Sequence, residues 1–418
     1  MTAALASGGD FCQVPARMPV RSRARYFEIG VDFCVFSFLP SLSLFPHTLA
    51  VLIVMAGVAA LGLAAPAGAA AWRPLRVPAV LLGALMLWGL LSALWAVDPW
   101  RSVTMAARLS VVLAAGLALL AAAPLLAAPE RLFRCLAAGA ALALVFAVVQ
   151  LATLGVLVHP LMHHEFQDAK LNQVQDAFAI IVLPLTALPL LRRQWAAVLL
   201  GLATAIVIYL LVGDAARVAL PLGLAGAGLL YGARRRLAGA AAVLAALGVL
   251  TAPLVFPALI RIHALARWAY GFKLSMWHRL EIWDFVGARI VERPILGWGL
   301  DSSRAIPGGK LLTPEHVGLL PLHPHNVLLQ TWLELGVPGA VLFAILVARV
   351  WLALGAAAWP RLYGAAAGGG LVTAFIVALG TYGLWQEWWI GTEFFLLFAT
   401  AVMGRLAAGA AAAKPSPP

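Results

Sequence analysis

Stretches of about twenty mostly apolar residues recur along nearly the whole chain, and they constrain its fold more than any other feature. A helix that crosses the hydrocarbon core of a bilayer needs about 20 such residues, whereas a strand of a membrane β-barrel alternates polar and apolar positions over about 10. Only 11% of the residues are charged and 63% are hydrophobic, while soluble domains carry about 25% charged residues. The sequence therefore predicts an all-α polytopic membrane protein.

Twelve transmembrane helices are predicted, with a tail at each end of the chain. The tails are residues 1–26 and 409–418, transmembrane helices 1–9 lie within 27–257, and helices 10–12 lie within 325–408. The residues between, 258–324, form one long loop that is too rich in Trp, Leu and Ile to be disordered, so we predict a loop subdomain there. The predicted spans are 27–45, 48–66, 78–97, 102–124, 131–154, 173–191, 194–213, 216–232, 237–257, 325–351, 362–384 and 389–408.

The basic residues predict how the chain is oriented in the membrane. Seventeen of the 29 Lys and Arg fall in the two tails and in the loops that follow even-numbered spans, and eight of the others lie in the 258–324 loop. Lys and Arg concentrate in cytoplasmic loops of membrane proteins. We therefore predict that both termini are cytoplasmic and that the long loop lies on the opposite side. The same clustering between apolar runs argues against a nucleic-acid partner, despite the net charge of +12.

The string His323-Pro-His325-Asn326 opens span 10 and is the first candidate for chemistry. If the proline is the first helical residue, His325 lies in the first turn, where the helix dipole favours a neutral ring that can accept a proton. Below it, Asn326, Gln330 and Glu334 are spaced i, i+4, i+8 and form a polar stripe. The spacing fits both a catalytic centre and interfacial histidines above a stripe that packs helices together.

Two arginines of the non-cytoplasmic side are the second candidate. Arg217 lies near the outer end of span 8, and Arg279 lies in residues 272–292, whose periodicity predicts an amphipathic helix. An arginine at membrane level costs several kcal/mol unless it is paired or hydrated, and its fork suits phosphate. Pairing of Arg217 with Asp214, and a solvated helix face for Arg279, are the structural alternatives. No Asp-x-Asp pair, Walker loop or zinc signature is present, so we predict no metal and no cofactor.

These residues together resemble a known family, the O-antigen ligase and O-antigen polymerase superfamily. The resemblance covers roughly residues 170–345 and includes the long loop that precedes the histidine string. The matching elements are Asn172, Leu183-Pro-Leu185, Arg217, Arg279-Leu-Glu-Ile-Trp283, Pro294-Ile-Leu-Gly297-Trp-Gly299 and His325-Asn-Val-Leu-Leu-Gln330-Thr-Trp-Leu-Glu334-Leu-Gly336-Val-Pro-Gly339.

The resemblance implies a metal-independent, GT-C-like glycosyltransferase of the bacterial inner membrane, acting in lipopolysaccharide biosynthesis. A ligase of this family transfers a glycan from undecaprenyl diphosphate to a sugar hydroxyl of lipid A–core on the periplasmic face. Arginines would stabilise the diphosphate and a neutral histidine would act as the base. The predicted catalytic residues are Arg217, Arg279 and His325, and the predicted substrate-binding residues are Lys170, Asn172, Trp283, His323 and Asn326.

Other functions are compatible with parts of the pattern. An O-antigen polymerase or a protein O-oligosaccharyltransferase of the same superfamily would differ in the acceptor, which one sequence does not reveal. A transporter belongs to a different class and often shows internal repeats with binding sites near the midplane. The halves of this chain show no convincing duplication, and its polar groups cluster at one face. We therefore favour the ligase, whose substrate pocket we expect between the long loop and the outer ends of spans 6–8 and 10.

Overall fold

The structure is a computed structural model that describes residues 20–153 and 171–413. Within these ranges all regular secondary structure is helical apart from one isolated bridge between Leu312 and Gly318, so the predicted all-α fold is confirmed. The α-helices are α1 (Val20–Leu44), α2 (Leu49–Ala64), α3 (Ala69–Trp72), α4 (Arg76–Leu91), α5 (Pro99–Ala122), α6 (Pro129–Ala152), α7 (Asn172–Leu191), α8 (Trp195–Leu210), α9 (Asp214–Ala258), α10 (His263–Phe272), α11 (Leu274–Glu292), α12 (Val327–Ala356), α13 (Arg361–Ala378) and α14 (Glu387–Ala412).

Ten helical segments of the described ranges are long and apolar enough to cross a membrane, which makes this a multi-pass membrane protein. The longest includes α9, in which Ala233 has non-helical angles (φ −144°, ψ 46°) that separate the predicted spans 8 and 9. Helix α8 corresponds to span 7, but its 16 residues extend only about 24 Å at 1.5 Å per residue. Twelve membrane crossings therefore remain a prediction.

The break at Ala233 folds α9 into a hairpin. Arg234, directly after the break, donates to two carbonyls in the turn between α12 and α13. Away from that turn, the first half of α9 meets α13, with Thr373 Oγ1 3.4 Å from the Ala219 carbonyl. The second half meets α12, where the Trp332 indole donates to the carbonyl of Val249 at 2.7 Å. Both halves therefore run from one turn toward the opposite end of the bundle, and the first and last residues of α9 lie at that same end.

Arginines that were predicted to be cytoplasmic gather at the end of the bundle that contains this turn. Arg192 donates to a carbonyl in α14 at 3.0 Å and pairs with Glu130 at 2.8 Å. Arg405 donates to a carbonyl beyond the end of α5, and Arg131 pairs with two carboxylates of α1. Cations are favourable near the carboxyl ends of helices, where carbonyls lack intrahelical partners. The sidedness of this basic end remains a prediction based on the positive-inside rule.

The opposite end is covered by α10, α11 and the loops 293–326 and 379–386, which enclose the first nine residues of α12. This short segment ends at Gly336, where φ is 60°. The carbonyls of its last three residues accept hydrogen bonds from the Trp88 indole (2.8 Å) and from the amides of Trp298 and Gly299 (2.9 Å each). Gly297 has φ 70°, and a Cβ there would lie 2.5 Å from the α12 backbone. The residues 294–299 therefore form a turn that packs against the backbone of α12. Predicted span 10 is a short helix up to Gly336 followed by a longer one.

Candidate functional site

The histidine string lies at the start of α12, but the helix begins later than predicted. The Oδ1 atom of Asn326 accepts hydrogen bonds from two backbone amides of the first turn, at 3.0 and 3.2 Å, so Asn326 is the N-cap. The prediction that Pro324 starts the helix and that His325 lies in its first turn is wrong. Asn is among the preferred capping residues because its oxygen satisfies amides that lack an intrahelical partner. His325 instead precedes the cap with φ 51°.

Replacing Asn326 with alanine is expected to lower stability, since it leaves these two buried amides without an acceptor. Loss of an N-cap typically costs about 1 kcal/mol, so the melting temperature of the purified protein should fall by a few degrees. Asn326→Ser is the matched control, because its hydroxyl can still cap the helix. Equal melting temperatures for the wild type and both variants would contradict this role.

His325 is held as a neutral ring, and one of its two ring nitrogens has no hydrogen-bond partner among residues 20–153 and 171–413. Its Nδ1 atom lies 2.5 Å from the carbonyl oxygen of Thr381, and a carbonyl can only accept, so Nδ1 carries the proton and Nε2 keeps its lone pair. Burial lowers the pKa of His325 to about 4, although the Thr381 carbonyl opposes this, and the positive charge of Arg279 adds to it. The predicted neutral state of the ring is therefore supported, with burial rather than a helix dipole as the main cause, and the role of His325 as a base remains a prediction.

His323 supports the same turn. The ring is buried, its Nδ1 accepts the backbone N–H of His325 at 3.2 Å, and the two ring centroids are 4.3 Å apart. Burial lowers the pKa of His323 to about 3, and the adjacent His325 ring and the positive charge of Arg304 act in the same direction. The ring is thus neutral as well, and with Nδ1 accepting, its proton lies on Nε2.

Arg279 is brought to His325 by the loop between α13 and α14. Its Nε donates to the carbonyl of Gly380 at 2.9 Å, and its Nη1 donates to the carbonyl of Ser275 at 2.8 Å. Gly380 directly precedes Thr381, which holds His325, so the guanidinium and the imidazole are bound to adjacent carbonyls. Burial lowers the pKa of Arg279 while the charge of Asp214 raises it. A guanidinium remains protonated under these conditions, so a cation and a neutral base lie side by side.

The polar stripe of α12 positions this loop. The amide oxygen of Gln330 accepts the backbone N–H of Leu384 at 2.7 Å, and the carboxylate of Glu334 accepts the indole N–H of Trp385 at 2.5 Å. The carboxylate of Glu334 also accepts two donors from residues 301–303 and one from Gln330. A buried carboxylate with four donors is well satisfied. Gln330 and Glu334 therefore have structural contacts, but they hold two loops against α12 and do not pack helices together.

The sequence interpretation missed the loop 379–386. Its main contribution to the site comes from two backbone carbonyls, which any residue could supply, so no motif marks it. One side chain does add a contact, since the hydroxyl of Tyr382 donates to Asp176 of α7 at 2.7 Å. Arg304 was missed as well, because only the folded loop brings its charge close to His323. The prediction that span 11 extends over 362–384 is wrong at its end, because the helix stops at Ala378, and it had placed Tyr382 inside the membrane span. The aspartate inside an apolar span was a visible signal, but its pairing with Tyr382 was not.

Arg217 is related to Arg279 through a shared carboxylate. Asp214 pairs with Lys273, and its charge acts on Arg279. Arg217 approaches the same carboxylate at 4.0 Å and donates to the Tyr209 carbonyl at 3.1 Å. The expected pairing of Arg217 with Asp214 is thus a loose contact, and Lys273 is the main partner of Asp214. Three basic side chains share one carboxylate here, which leaves positive charge for an anion.

The turn that carries Arg217 is fixed by α7. Gln175 accepts the N–H of Gly213 at 2.8 Å and donates to its carbonyl at 2.9 Å. Asn172 lies beside the same glycine, since a Cβ on Gly213 would be 3.0 Å from its Oδ1. Its Oδ1 is buried and makes no hydrogen bond within the described ranges. Asn172 therefore lies next to the Arg217 turn, and its contact with substrate remains a prediction.

Trp283 contacts the histidine string at Pro324. Its indole donates to the carbonyl of Pro324 at 3.0 Å and packs edge-on against Phe256. This contact stabilises the string, and the predicted substrate contact of Trp283 remains a prediction.

Lys170, the remaining predicted site residue, lies outside the described residues. Within the described ranges no three His, Cys, Asp or Glu side chains converge as metal ligands would, and independence from metal stays a prediction.

Known proteins match the part of the chain that builds this site. A family model described as O-antigen ligase matches residues 179–344, which include both arginines and the histidine string. A protein of Rickettsia conorii named "Putative polysaccharide ligase" is 35% identical over 161 residues, covering 37% of this chain and 39% of the relative. A protein of the same name in Rickettsia prowazekii is 38% identical over 127 residues, covering 29% and 31%. The chain thus matches well under half the length of these relatives. The segment that carries the site is therefore similar to O-antigen ligases and to polysaccharide ligase-like proteins.

Proposed function

We propose that this protein is an O-antigen ligase, which transfers a glycan from undecaprenyl diphosphate to a sugar hydroxyl of lipid A–core on the periplasmic face of a bacterial inner membrane. The observation that carries the proposal is the binding of Arg279 and His325 to the adjacent carbonyls of Gly380 and Thr381. Glycosyl transfer from a diphosphate needs a base and a cation near each other. The match of residues 179–344 to a family model described as O-antigen ligase supports the same reaction class.

The proposed reaction is a single displacement at the anomeric carbon of the donor. Nε2 of His325 removes the proton of the acceptor hydroxyl as its oxygen forms the new glycosidic bond. The bond between the anomeric carbon and the diphosphate oxygen breaks, and the electron pair leaves on undecaprenyl diphosphate. Arg279 and Arg217 stabilise the charge that develops there, because guanidinium forks match phosphate oxygens. In this proposal the arginines take the role that a divalent cation has in other transferases.

The proposed location follows from the two ends of the bundle. The site lies opposite the basic end formed by Arg131, Arg192, Arg234 and Arg405. Lys and Arg concentrate on the cytoplasmic side of membrane proteins, which supports a periplasmic site. The donor tail is apolar like the lipid-facing helices, so the donor can reach the diphosphate site sideways from the bilayer.

A reconstituted assay tests the proposal. Purified protein in nanodiscs receives undecaprenyl-diphosphate-linked glycan and lipid A–core, with EDTA and without ATP or an ion gradient. We expect glycan-modified lipid A–core, detected as a mobility shift on a gel. Growth of the lipid-linked glycan instead would indicate a polymerase, and transfer to a protein Ser or Thr would indicate an oligosaccharyltransferase. Either outcome, or no transfer without added metal, would overturn the proposed ligase mechanism.

The pH dependence of transfer is expected to be flat through the range in which histidine normally titrates. The pKa of His325 is lowered to about 4, so the base form persists down to about pH 5 and is lost only below that. If the base were a histidine with the ordinary pKa of about 6.5, the enzyme would lose half of its activity at about pH 6.5. The measurement is kcat/KM between pH 5 and 8, since this ratio reports groups of the free enzyme. A midpoint near 6.5 would contradict the buried neutral state of His325.

A further inference from the structure

Helix α10, His263–Phe272, presents an apolar face that the protein does not cover. Trp268 and Phe272 are four residues apart, their side chains are 52% and 62% exposed, and their rings stack at 5.1 Å. His263 and Arg267 lie on the opposite face, as the helical spacing requires. Large exposed aromatic side chains that stand together on one helix face mark an interaction surface.

Helix α10 lies at the end of the bundle where α9 begins and ends, and this position indicates what can cover its apolar face. The helix begins after a short turn, Leu259–Arg261, that follows the last residue of α9. Lys273, directly after its end, pairs with Asp214, the first residue of α9. Since α9 is a hairpin, its first and last residues lie at one end of the bundle. Helix α10, about 15 Å long, therefore crosses that end instead of projecting away from it.

The charged residues of α10 and of the residues that flank it in sequence are all basic, and the one carboxylate among the described residues that contacts them, Asp214, pairs with Lys273. Between Asp214 and Glu281 the sequence has no Asp or Glu, whereas Arg261, Arg267 and Lys273 lie in or beside the helix. Amphipathic helices with Trp, Phe and Leu on one face and cations on the other lie in the membrane interface, with the apolar face about 5–10 Å into the headgroup and acyl boundary. Anionic headgroups attract such basic segments.

We propose that α10 is an interfacial helix that binds a phospholipid surface containing anionic headgroups, with Trp268 and Phe272 inserted at the acyl boundary. Its insertion sets the depth of Lys273 and of α11, the helix that carries Arg279. The proposal does not rest on glycan transfer, because it follows from the exposed face, the anchoring of both helix ends and the charges.

Site-directed spin labelling in nanodiscs tests the position of each face. Full-length protein with Cys12, Cys34 and Cys135 replaced by alanine receives one label, through Trp268→Cys or Phe272→Cys on the apolar face. His263→Cys and Arg267→Cys are the matched controls on the polar face. In nanodiscs of phosphatidylcholine and phosphatidylglycerol at about 3:1, we expect the labels at 268 and 272 to be relaxed by oxygen, at a depth of about 5–10 Å. The labels at 263 and 267 should be relaxed by a water-soluble nickel chelate.

Two results would overturn the proposal. Equal nickel accessibility at positions 268 and 267 would mean that the aromatic face lies in water. Shielding of position 268 from both reagents, with spin–spin broadening that disappears when unlabelled protein is added, would mean that a second copy covers the face. Each labelled variant is first checked for a single symmetric peak in gel filtration, and the two apolar-face positions provide independent readings. An oxygen signal at either position with the polar controls in water supports the interfacial helix.

Discussion

His325→Asn is expected to lower the rate of glycan transfer by roughly 10²–10⁴-fold, the usual contribution of a general base. The choice of asparagine separates chemistry from folding. Its amide nitrogen can replace Nδ1 as the donor to the Thr381 carbonyl, which the histidine contacts at 2.5 Å. Asparagine also tolerates positive φ better than most residues, and His325 has φ 51°. What it lacks is the basic Nε2, so the variant should fold normally and lose activity.

The measurement is the rate of transfer in the reconstituted assay, with the melting temperature recorded on the same preparation. His47→Ala is the control, because His47 is exposed in the turn between α1 and α2, away from α12. It should retain the wild-type rate and stability. If the transfer rate of His325→Asn were within a few-fold of the wild-type rate, His325 would not be the base. The ligase assignment would then still be judged by the product formed.

Arg279→Ala is expected to lower kcat by roughly 10²–10³-fold, in line with the loss of one group that stabilises developing charge. The effect should fall on kcat more than on KM, since the guanidinium is most useful when the leaving diphosphate gains charge. Arg279→Lys keeps the charge but loses the planar fork, and should recover only part of the rate. Both variants are compared over a range of donor concentrations to separate the two parameters.

A matched control for Arg279 lies on the same helix. Arg289 pairs with Glu292 at 2.9 Å on a partly exposed surface, and such pairs contribute about 0–1 kcal/mol. Arg289→Ala should therefore leave transfer unchanged and stability nearly so. If Arg279→Ala and Arg289→Ala had the same small effect, the proposed role of Arg279 at the diphosphate would be wrong. A lowered melting temperature for Arg279→Ala alone would instead reveal its bond to the Gly380 carbonyl.

The residues of the site differ in how far they could be predicted. The amphipathic helix over 272–292 was correct to within two residues, because its period is local and a proline follows it. The start of α12 was misplaced by three residues, because Asn326 and Pro324 are both good helix starters and only the fold decides between them. The pairing of Asp214 with Lys273 was missed because the two residues are far apart in sequence.

The sequence by itself determined that the chain is an all-α membrane protein and which residue types could do its chemistry. Apolar length and charge clustering are properties of the chain that need no knowledge of contacts. Only the tertiary structure decided that Arg279 and His325 meet, because they are joined through the carbonyls of a loop that begins a hundred residues after Arg279. A backbone carbonyl is the same in every residue, so no sequence pattern can mark the ones that orient a side chain. The neutral state of His325 was decided in the same way, since burial is a property of the packed molecule.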